Sequence, residues 1–217
     1  MGRLKFYTFA LVFVFAAHAD WKDVDASEYA LDAPPKAGSA KYKEDFRILH
    51  EQETKRGTKE CELAAGQVKP TFDALFGESA GILTDDQLNE TRDFVTRVMK
   101  YTEKVSNVFK AKYMRPRPYN TDTTLKPCAV KPGGSKAYPS SHASMAAAAA
   151  CVLGKLVPAK AKKLAEYGKY LGDVRYIVGV HHPSDVEAGQ SLGAQVCDRL
   201  DDEEDFLEEL ENVQGNL

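Results

Sequence analysis

The sequence predicts an all-α fold, a compact single-domain helical bundle over residues 20–217. Three observations support this prediction. Apolar residues recur at helical spacing, capping residues precede several of these stretches, and no stretch alternates polar and apolar side chains as a half-buried strand does. A chain of 217 residues can also bury a sizeable core in one domain.

The first 19 residues have the order of a secretory signal peptide. Arg3 and Lys5 form a basic start, Leu11 to Ala17 end an apolar run, and Ala17-His18-Ala19 is a small-x-small cleavage site before Asp20. The alternative is an uncleaved membrane anchor, but the apolar run is short for a span. No later stretch is apolar enough to cross a bilayer. We therefore expect an exported chain without a stable membrane span, located in a bacterial periplasm.

The charge distribution indicates a small anionic ligand. The whole chain carries −3, and the chain without residues 1–19 carries −5. Eight acids and no base lie between Asp201 and Glu211, so the body without them would carry +3. Nucleic acid usually requires a large basic face and is not expected as a partner.

The acidic tail, residues 201–217, contains apolar positions that suit a short amphipathic helix. We expect this helix to dock on the body or on a partner, and to be dispensable for chemistry. Its apolar positions are Phe206, Leu207, Leu210 and Val213.

Four cysteines in an oxidising compartment permit two disulfides with three connectivities. Their spacings match no zinc pattern. Cys151 and Cys197 follow His142 and Asp185 by nine and twelve residues, on helices that begin at the candidate site. We expect these two cysteines to be bonded, although their apolar contexts also suit buried free thiols. The other two cysteines are Cys61 and Cys128.

The pattern before residue 84 is weak. Residues 20–40 contain Pro34-Pro35 and suit an irregular arm. Residues 41–67 are polar and suit one surface helix or a pair of helices. Residues 70–77 suit a connector or one helical turn.

Thr84 begins the clearest helix, because Thr84 and Gln87 form a capping-box pattern. We expect this helix to reach about Lys112 and to end before Pro116 and Pro118. The apolar positions at helical spacing are Leu88, Val95, Val98, Val105 and Phe109.

Residues 119–137 contain Pro127, Pro132 and Gly133-Gly134 and suit a loop. Ser140 or Ser141 can cap the next helix, which runs to about Leu153. The alanines at 146–150 would let neighbouring helices approach closely, so we expect this helix to be central.

Residues 158–171 suit another helix. Periodicity does not decide whether residues 172–180 form a buried helix or a strand. Pro183 suits a first helical position and begins a last helix through Val196.

Three short blocks carry candidate chemistry. Lys110 to Pro118 is basic, and its alternative interpretation is a solvated cationic face. Pro139-Ser140-Ser141-His142 would place free N–H groups and a histidine at a helix N-terminus, where phosphate binds readily; the alternative is an ordinary cap. In Val174 to Asp185, an arginine, a histidine and a carboxylate could respectively hold phosphate, attack phosphorus and orient the imidazole.

Read together, the blocks follow a known pattern: Lys110, six residues, Arg117-Pro118; Pro139-Ser140-x-His142; then Arg175, five residues, His181, three residues, Asp185. The pattern resembles the signature of the phosphatidic acid phosphatase type 2 superfamily. That group includes soluble bacterial class A acid phosphatases, membrane lipid phosphatases and vanadium haloperoxidases. The resemblance covers about residues 110–192, is nearest to the class A enzymes, and implies the helical fold of this group.

The resemblance also implies roles. His181 would be the nucleophile, oriented by Asp185, and His142 the general acid and then the base. Phosphoryl oxygens would be held by Lys110, Arg117, Arg175, Ser140 and Ser141. Phosphoryl transfer needs charge neutralisation and alignment, which three cations can supply without a metal.

Two positions depart from the pattern. Ser141 stands where the family usually has glycine, and Val174 where it usually has serine. The missing hydroxyl removes one hydrogen bond to a charged group, worth about 1.5–3 kcal/mol. His182 and Arg115 nearly duplicate motif residues. We interpret His182 as a flanking residue, because pairing it with Asp185 as the nucleophile would take Arg175 out of register.

The expected function is therefore an exported, cofactor-free phosphatase that hydrolyses small phosphomonoesters at acid pH. Vanadate would act as a transition-state mimic. The alternatives are a vanadate-dependent haloperoxidase, a phosphatase acting on lipid-like phosphates and a non-catalytic phosphate-binding protein. The resemblance to soluble enzymes leaves a homodimer open.

Overall fold

The computed structural model describes residues 25–132 and 136–217. The predicted signal peptide and the cleavage site before Asp20 lie outside the described residues. Within them the fold is all helical with no strand, as predicted. No helix of this described part has the length and apolarity that a membrane span needs.

The helices follow one another with short connections. Their bounds are α1 Ala40–Lys55, α2 Thr58–Gly66, α3 Phe72–Phe76, α4 Asp85–Tyr113, α5 Pro118–Thr121, α6 Ser141–Leu156, α7 Ala161–Ile177, α8 Pro183–Leu200 and α9 Glu204–Gln214. Of the two alternatives for residues 41–67, the pair of helices is the one observed. Residues 70–77 contain the single short helix α3, and a 3-10 turn at Ala26–Glu28 lies in the N-terminal arm.

Helix α6 is central, as its alanines predicted. It packs against α4, α7 and α8, and nearly all of its residues from Ala143 to Leu153 are buried. Small residues permit this close packing: a Cβ on Gly193 of α8 would lie 2.3 Å from the carbonyl oxygen of Ser144. Helix α6 therefore carries its first turn, with His142, into the centre of the bundle.

Helix α4 begins at the predicted capping box. The Gln87 N–H donates to the Thr84 hydroxyl and the Thr84 N–H donates to the Gln87 side chain, at 3.3 and 3.2 Å. The helix ends at Tyr113, and Met114 adopts a left-handed conformation with φ of 46°. This end directs the following basic segment across the bundle.

The undecided stretch 172–180 is helical to Ile177 and then turns. Gly179 has φ of 83°, in the left-handed region that favours glycine. The turn folds the chain back, so that the N–H groups of Val180 and His181 both donate to the Arg175 carbonyl oxygen, at 3.1 and 3.2 Å. The arginine and the histidine of the third block are thereby brought together.

Both permitted disulfides form. Cys151–Cys197 joins α6 to α8, which confirms the expected pair, with a Cα–Cα distance of 6.3 Å. Cys61–Cys128 joins α2 to the loop before α6. The structure therefore selects one of the three connectivities and excludes free thiols at these four positions.

The acidic tail docks on the body rather than projecting from it. Phe206 of α9 is fully buried and stacks on Phe94 of α4, with ring centroids 5.3 Å apart. Arg97 donates to Glu209 at 2.6 Å. The predicted amphipathic helix is thus part of the packed bundle.

We expect Phe206→Ala to lower the free energy of unfolding by about 3–5 kcal/mol, because it empties a fully buried aromatic site. Turnover by the folded variant should be unchanged, as should turnover by a chain truncated after Leu200. Urea denaturation measures the first effect, with the exposed neighbour Leu207→Ala as the control. Loss of turnover in a still-folded truncated chain would contradict the prediction.

Candidate active site

The three sequence blocks meet at the N-terminal end of α6 and are joined by hydrogen bonds. Lys110 Nζ donates to the Pro139 carbonyl oxygen at 2.5 Å, and Arg117 Nη1 donates to the Val180 carbonyl oxygen at 2.9 Å. The Ser140 N–H donates to the Asp185 carbonyl oxygen at 2.9 Å. Each block therefore contacts the other two.

His181 lies between a cation and a carboxylate. Arg117 Nη1 donates to His181 Nε2 at 2.6 Å, and His181 Nδ1 lies 3.4 Å from Asp185 Oδ2. Because a guanidinium can only donate, Nε2 is the unprotonated nitrogen and Nδ1 carries the hydrogen. Burial, and next the charge of Arg117, hold the pKa of His181 well below its usual value. The imidazole is therefore neutral, with its Nε2 lone pair directed towards the cation.

The Asp185 carboxylate is buried and binds several donors. Its Oδ2 accepts from the N–H and Nδ1 of His182 at 2.8 and 3.0 Å, and its Oδ1 accepts from Arg115 Nη1 at 2.6 Å. Burial alone would raise the pKa of Asp185, but hydrogen bonds from His181 and His182, with the Arg115 charge, hold it well below its usual value. These contacts therefore favour the ionised carboxylate form of Asp185.

The three predicted phosphate-binding cations are buried. Arg175 Nε and Nη1 and Arg117 Nε have no hydrogen-bond partner within the described part of the chain. Unpartnered buried donors are costly, so these groups favour a ligand with several acceptor oxygens. Burial, and next the charge of Arg117, lower the pKa of Arg175 to about 10, which leaves it charged at neutral pH.

Lys110 is the cation most sensitive to pH. Its Nζ donates to the carbonyl oxygens of Lys136 and Pro139. Burial, and next the charge of Arg117, lower the pKa of Lys110 to about 7. Lys110 therefore carries its charge below about pH 7 and loses it above.

This shift predicts a pH-dependent affinity for a dianion of constant charge. Sulfate would bind the protonated Lys110, so its dissociation constant should rise by about tenfold per pH unit between pH 7 and 9. Lys110→Arg should remove this dependence, because arginine stays charged. The Lys110→Gln protein should bind sulfate weakly both at pH 7 and at pH 9. Calorimetry measures the constants, with the exposed Lys112→Gln as the matched control; a pH-independent affinity in the unaltered protein would contradict the prediction.

His142 lies in the first turn of α6, and its Nε2 is 2.7 Å from the Gln67 carbonyl oxygen. A carbonyl oxygen can only accept, so Nε2 carries a hydrogen and any proton exchanged with a ligand uses Nδ1. Burial, and next the charge of Arg175, lower the pKa of His142 to about 3. Because part of this shift comes from the cations, an anion that neutralises them would raise the pKa again.

The two predicted serines differ in their surroundings. The Ser140 N–H is used by Asp185, and the Ser140 hydroxyl caps α6 by accepting from the Ala143 N–H at 3.4 Å. Ser140 therefore holds the blocks together and has no free N–H for an anion. The first-turn N–H groups of Ser141 and His142 are the ones that a helix N-terminus presents.

The structure explains one departure from the family pattern. Val174 is fully buried, in an apolar cluster with Ala64, Val178 and Val180. A valine at this position packs against α2 and the turn after α7. Its methyl groups therefore contribute to the core.

Sequence reasoning missed three polar contacts of the site. His182, interpreted as flanking, binds Asp185 more closely than His181 does, and its i, i+3 spacing to Asp185 at the start of a helix was the available signal. Arg115 binds Asp185 and also Asp45 of α1, where Nη2 donates at 2.8 Å. No sequence signal distinguished Asp45 from the other polar residues of α1.

Two further observations concern metal binding and a cavity next to the site. Among the described residues, no group of three or more His, Cys, Asp and Glu side chains is arranged to hold a metal ion. A cavity of about 600 Å³ lies between the N-terminal arm, α4 and α8. None of the eight predicted site residues lines this cavity, although Ser184, behind Asp185, does.

Residues 97–197 match the PAP2 superfamily model. The chain is 28% identical over 198 residues to a non-specific acid phosphatase of Providencia stuartii, covering 86% of this chain and 79% of the relative. It is 26% identical over 204 residues to a non-specific acid phosphatase of Salmonella typhimurium, covering 88% and 80%.

An acid phosphatase of Zymomonas mobilis is 24% identical over 198 residues, with 86% of this chain and 74% of the relative covered. Among solved structures, the fold is similar to that of a transmembrane PAP2 type phosphatidylglycerolphosphate phosphatase from Bacillus subtilis. The TM-score is 0.55 at 19% identity, over 75% of this chain and 85% of that chain.

Proposed function

Because this chain carries a PAP2 superfamily domain and is related over most of its length to bacterial acid phosphatases, we propose that it is an exported, metal-independent phosphomonoesterase that works through a phosphohistidine. The phosphatase family sets the reaction class. Beyond the reaction class, we propose the roles of individual residues, the covalent intermediate and the export.

The contacts of His181 are the observation that carries the proposal. Its Nε2 lone pair faces Arg117 at 2.6 Å, and its Nδ1 faces the Asp185 carboxylate. A phosphoryl group bound by Arg117 would draw the guanidinium hydrogens onto its oxygens and free the lone pair beside phosphorus. The carboxylate would stabilise the positive charge that the ring acquires on attack.

In the first step, Nε2 of His181 forms a bond to phosphorus while the bond from phosphorus to the alcohol oxygen breaks. His142 delivers a proton from Nδ1 to that oxygen, so the alcohol leaves neutral. Lys110, Arg117 and Arg175 neutralise the equatorial oxygens, aided by the first-turn N–H groups of α6.

In the second step, a water takes the place of the alcohol. His142, now neutral, accepts a proton from this water, whose oxygen attacks phosphorus and breaks the bond to Nε2. Inorganic phosphate leaves and both histidines return to their starting states. A second histidine and three cations thus supply both steps without a metal ion.

The ionisation of the site supports activity at acid pH. The low pKa of His181 leaves a lone pair available in acid solution, and Lys110 is charged below about pH 7. The low pKa of His142 applies to the free protein, and a bound phosphoryl dianion raises it towards the range needed for an acid.

A panel of phosphomonoesters assayed with the exported, processed protein tests the proposal. We expect turnover that is unchanged by chelator and competitively inhibited by vanadate. N-terminal sequencing of the exported protein should begin at Asp20. Turnover that depends on an added metal would overturn the metal-independent mechanism, and a chain beginning at Met1 would overturn the export.

The same assay separates the other candidate functions. Halide oxidation after loading with vanadate would identify a haloperoxidase. Turnover of lipid-like phosphates alone would replace the small phosphomonoesters as substrates. Phosphate binding without turnover would identify a binding protein.

A further inference from the structure

The orientation of the Asp185 carboxylate depends on a residue outside the three blocks. Its Oδ2 faces His181 and His182, and its Oδ1 accepts from Arg115 Nη1 at 2.6 Å. A carboxylate held only through Oδ2 could rotate about its side-chain bonds. The Arg115 bond to the second oxygen prevents this rotation.

Arg115 is itself held from behind by α1. Its Nη2 donates to Asp45 Oδ2 at 2.8 Å, and its Nη1 also donates to the Ser184 hydroxyl at 2.8 Å. Asp45 accepts in addition from the Ser184 N–H at 3.0 Å and from its hydroxyl at 2.5 Å. Asp45 thus fixes both Arg115 and the residue that precedes Asp185.

All members of this network are withdrawn from solvent. Asp45 is 1% exposed, Asp185 0%, and Arg115 and Ser184 are 6% exposed each. Buried charges are costly unless they are paired with good geometry, and here one guanidinium joins two carboxylates. A network of this kind has one arrangement rather than many, which suits a positioning role.

Asp45 also lies outside the residues that match the family model, 97–197. Its contact with Ser184, which lies 139 residues away in the sequence, joins α1 to the residue that precedes Asp185. The first helix of the polar stretch 41–67, which was expected at the surface, therefore has one buried side that includes Asp45.

We infer that Asp45 and Arg115 are positioning residues, which hold the Asp185 carboxylate so that Oδ2 faces His181 during attack on phosphorus. This inference rests on the proposed role of His181 as nucleophile. Neither residue binds the phosphoryl group, so they should affect the rate of phosphorylation and not the affinity for the anion. The effect should also be equal for good and poor leaving groups, because protonation by His142 is not involved.

The test compares Asp45→Asn with the unaltered protein. Asparagine keeps the shape and loses the charge, and small misplacements at a reacting centre cost about 10²-fold in rate. We expect rapid-quench phosphorylation of His181 to slow by about that factor, with nitrophenyl phosphate and an alkyl phosphate affected alike. The dissociation constant of sulfate should stay within about twofold, because the cation cradle is intact.

Glu28→Gln is the matched control. It makes the same change from acid to amide and breaks a long-range pair with Arg199, at 2.9 and 3.0 Å, away from the site. We expect this variant to phosphorylate at the rate of the unaltered protein. Equal slowing in both variants would overturn the inference, because it would reflect general loosening of the bundle.

A second variant covers the case in which Asp45→Asn does not fold. Asp45→Asn combined with Arg115→Gln removes both charges and leaves no unpaired partner between α1 and Arg115. We expect the double variant to fold and to be slow, because Asp185 has then lost the Arg115 guanidinium that binds its second oxygen. A folded double variant that phosphorylates normally, a single variant that is not slowed, or a parallel loss of sulfate affinity would each overturn the inference.

The design distinguishes this inference from the proposed function. If the unaltered protein turns over substrate but never carries a phosphohistidine, the proposed mechanism fails. If it is labelled on His181 and the Asp45→Asn protein is labelled equally fast, only the positioning role fails.

Discussion

His181→Ala is expected to abolish the phosphoenzyme with every substrate and to lower kcat/KM by on the order of 10⁶-fold, as removal of a nucleophile does elsewhere. The imidazole is the group whose unprotonated Nε2 faces Arg117, and alanine leaves no nitrogen at that position. Affinity for sulfate should persist, because Lys110, Arg117 and Arg175 remain.

Rapid-quench labelling with phosphate-labelled substrate measures this effect, followed by mapping of an acid-labile, base-stable label. His182→Ala is the informative comparison, because His182 is adjacent in sequence and also bound to Asp185. We expect the label in the His182→Ala protein to be on His181. A label on His182 of the unaltered protein, or a fully active enzyme with no histidine label, would contradict the assignment.

The helices that could be predicted are those whose sequence signals involve only residues close together in the chain. The capping box at Thr84 and the alanine run of α6 act within a few residues of themselves, and both elements appear as expected. The Cys151–Cys197 bond was expected because the two cysteines lie at similar distances, nine and twelve residues, along two helices that begin at the same site. Local patterns and a shared starting point were sufficient in these cases.

The stretch 172–180 could not be assigned because its apolar residues suit a helix and a strand equally well. The deciding feature is tertiary: Gly179 takes a left-handed turn, so the chain returns to the Arg175 carbonyl. A buried segment is apolar on all sides in either structure, and periodicity then carries no information.

The residues of the site also divide into those that could be predicted from the sequence and those that could not. The resemblance of the three blocks to a family signature predicted which residues come together. The role of Asp45 depends on contacts with Arg115 and Ser184, which lie 70 and 139 residues away. A carboxylate on a polar helix has the same local pattern whether it faces solvent or a buried arginine. Such a contact becomes visible only when the helices are packed.

His142→Ala is expected to have an effect that depends on the leaving group. With an alkyl alcohol, loss of protonation should lower the rate by on the order of 10²–10⁴-fold. With nitrophenolate, which leaves without help, the first step should be nearly unaffected. The second step still lacks its base, so the phosphohistidine on His181 should accumulate.

Parallel rapid-quench experiments with the two substrates measure this difference, and His50→Ala is the control, because its exposed imidazole pairs with Asp122 away from the site.

The pH profile of the unaltered protein provides a second measurement, for which the direction of the shift can be predicted. The pKa of His142 is about 3 in the free protein and rises when a phosphoryl dianion neutralises the surrounding cations. Since the acid must be protonated, the alkaline limb that His142 causes should lie at higher pH in kcat than in kcat/KM, and His142→Ala should remove it. The fall of kcat/KM above about pH 7 that loss of the Lys110 charge causes should remain. Equal losses with both substrates, or an alkaline limb of kcat that is unchanged in the His142→Ala protein, would show that His142 is not the acid.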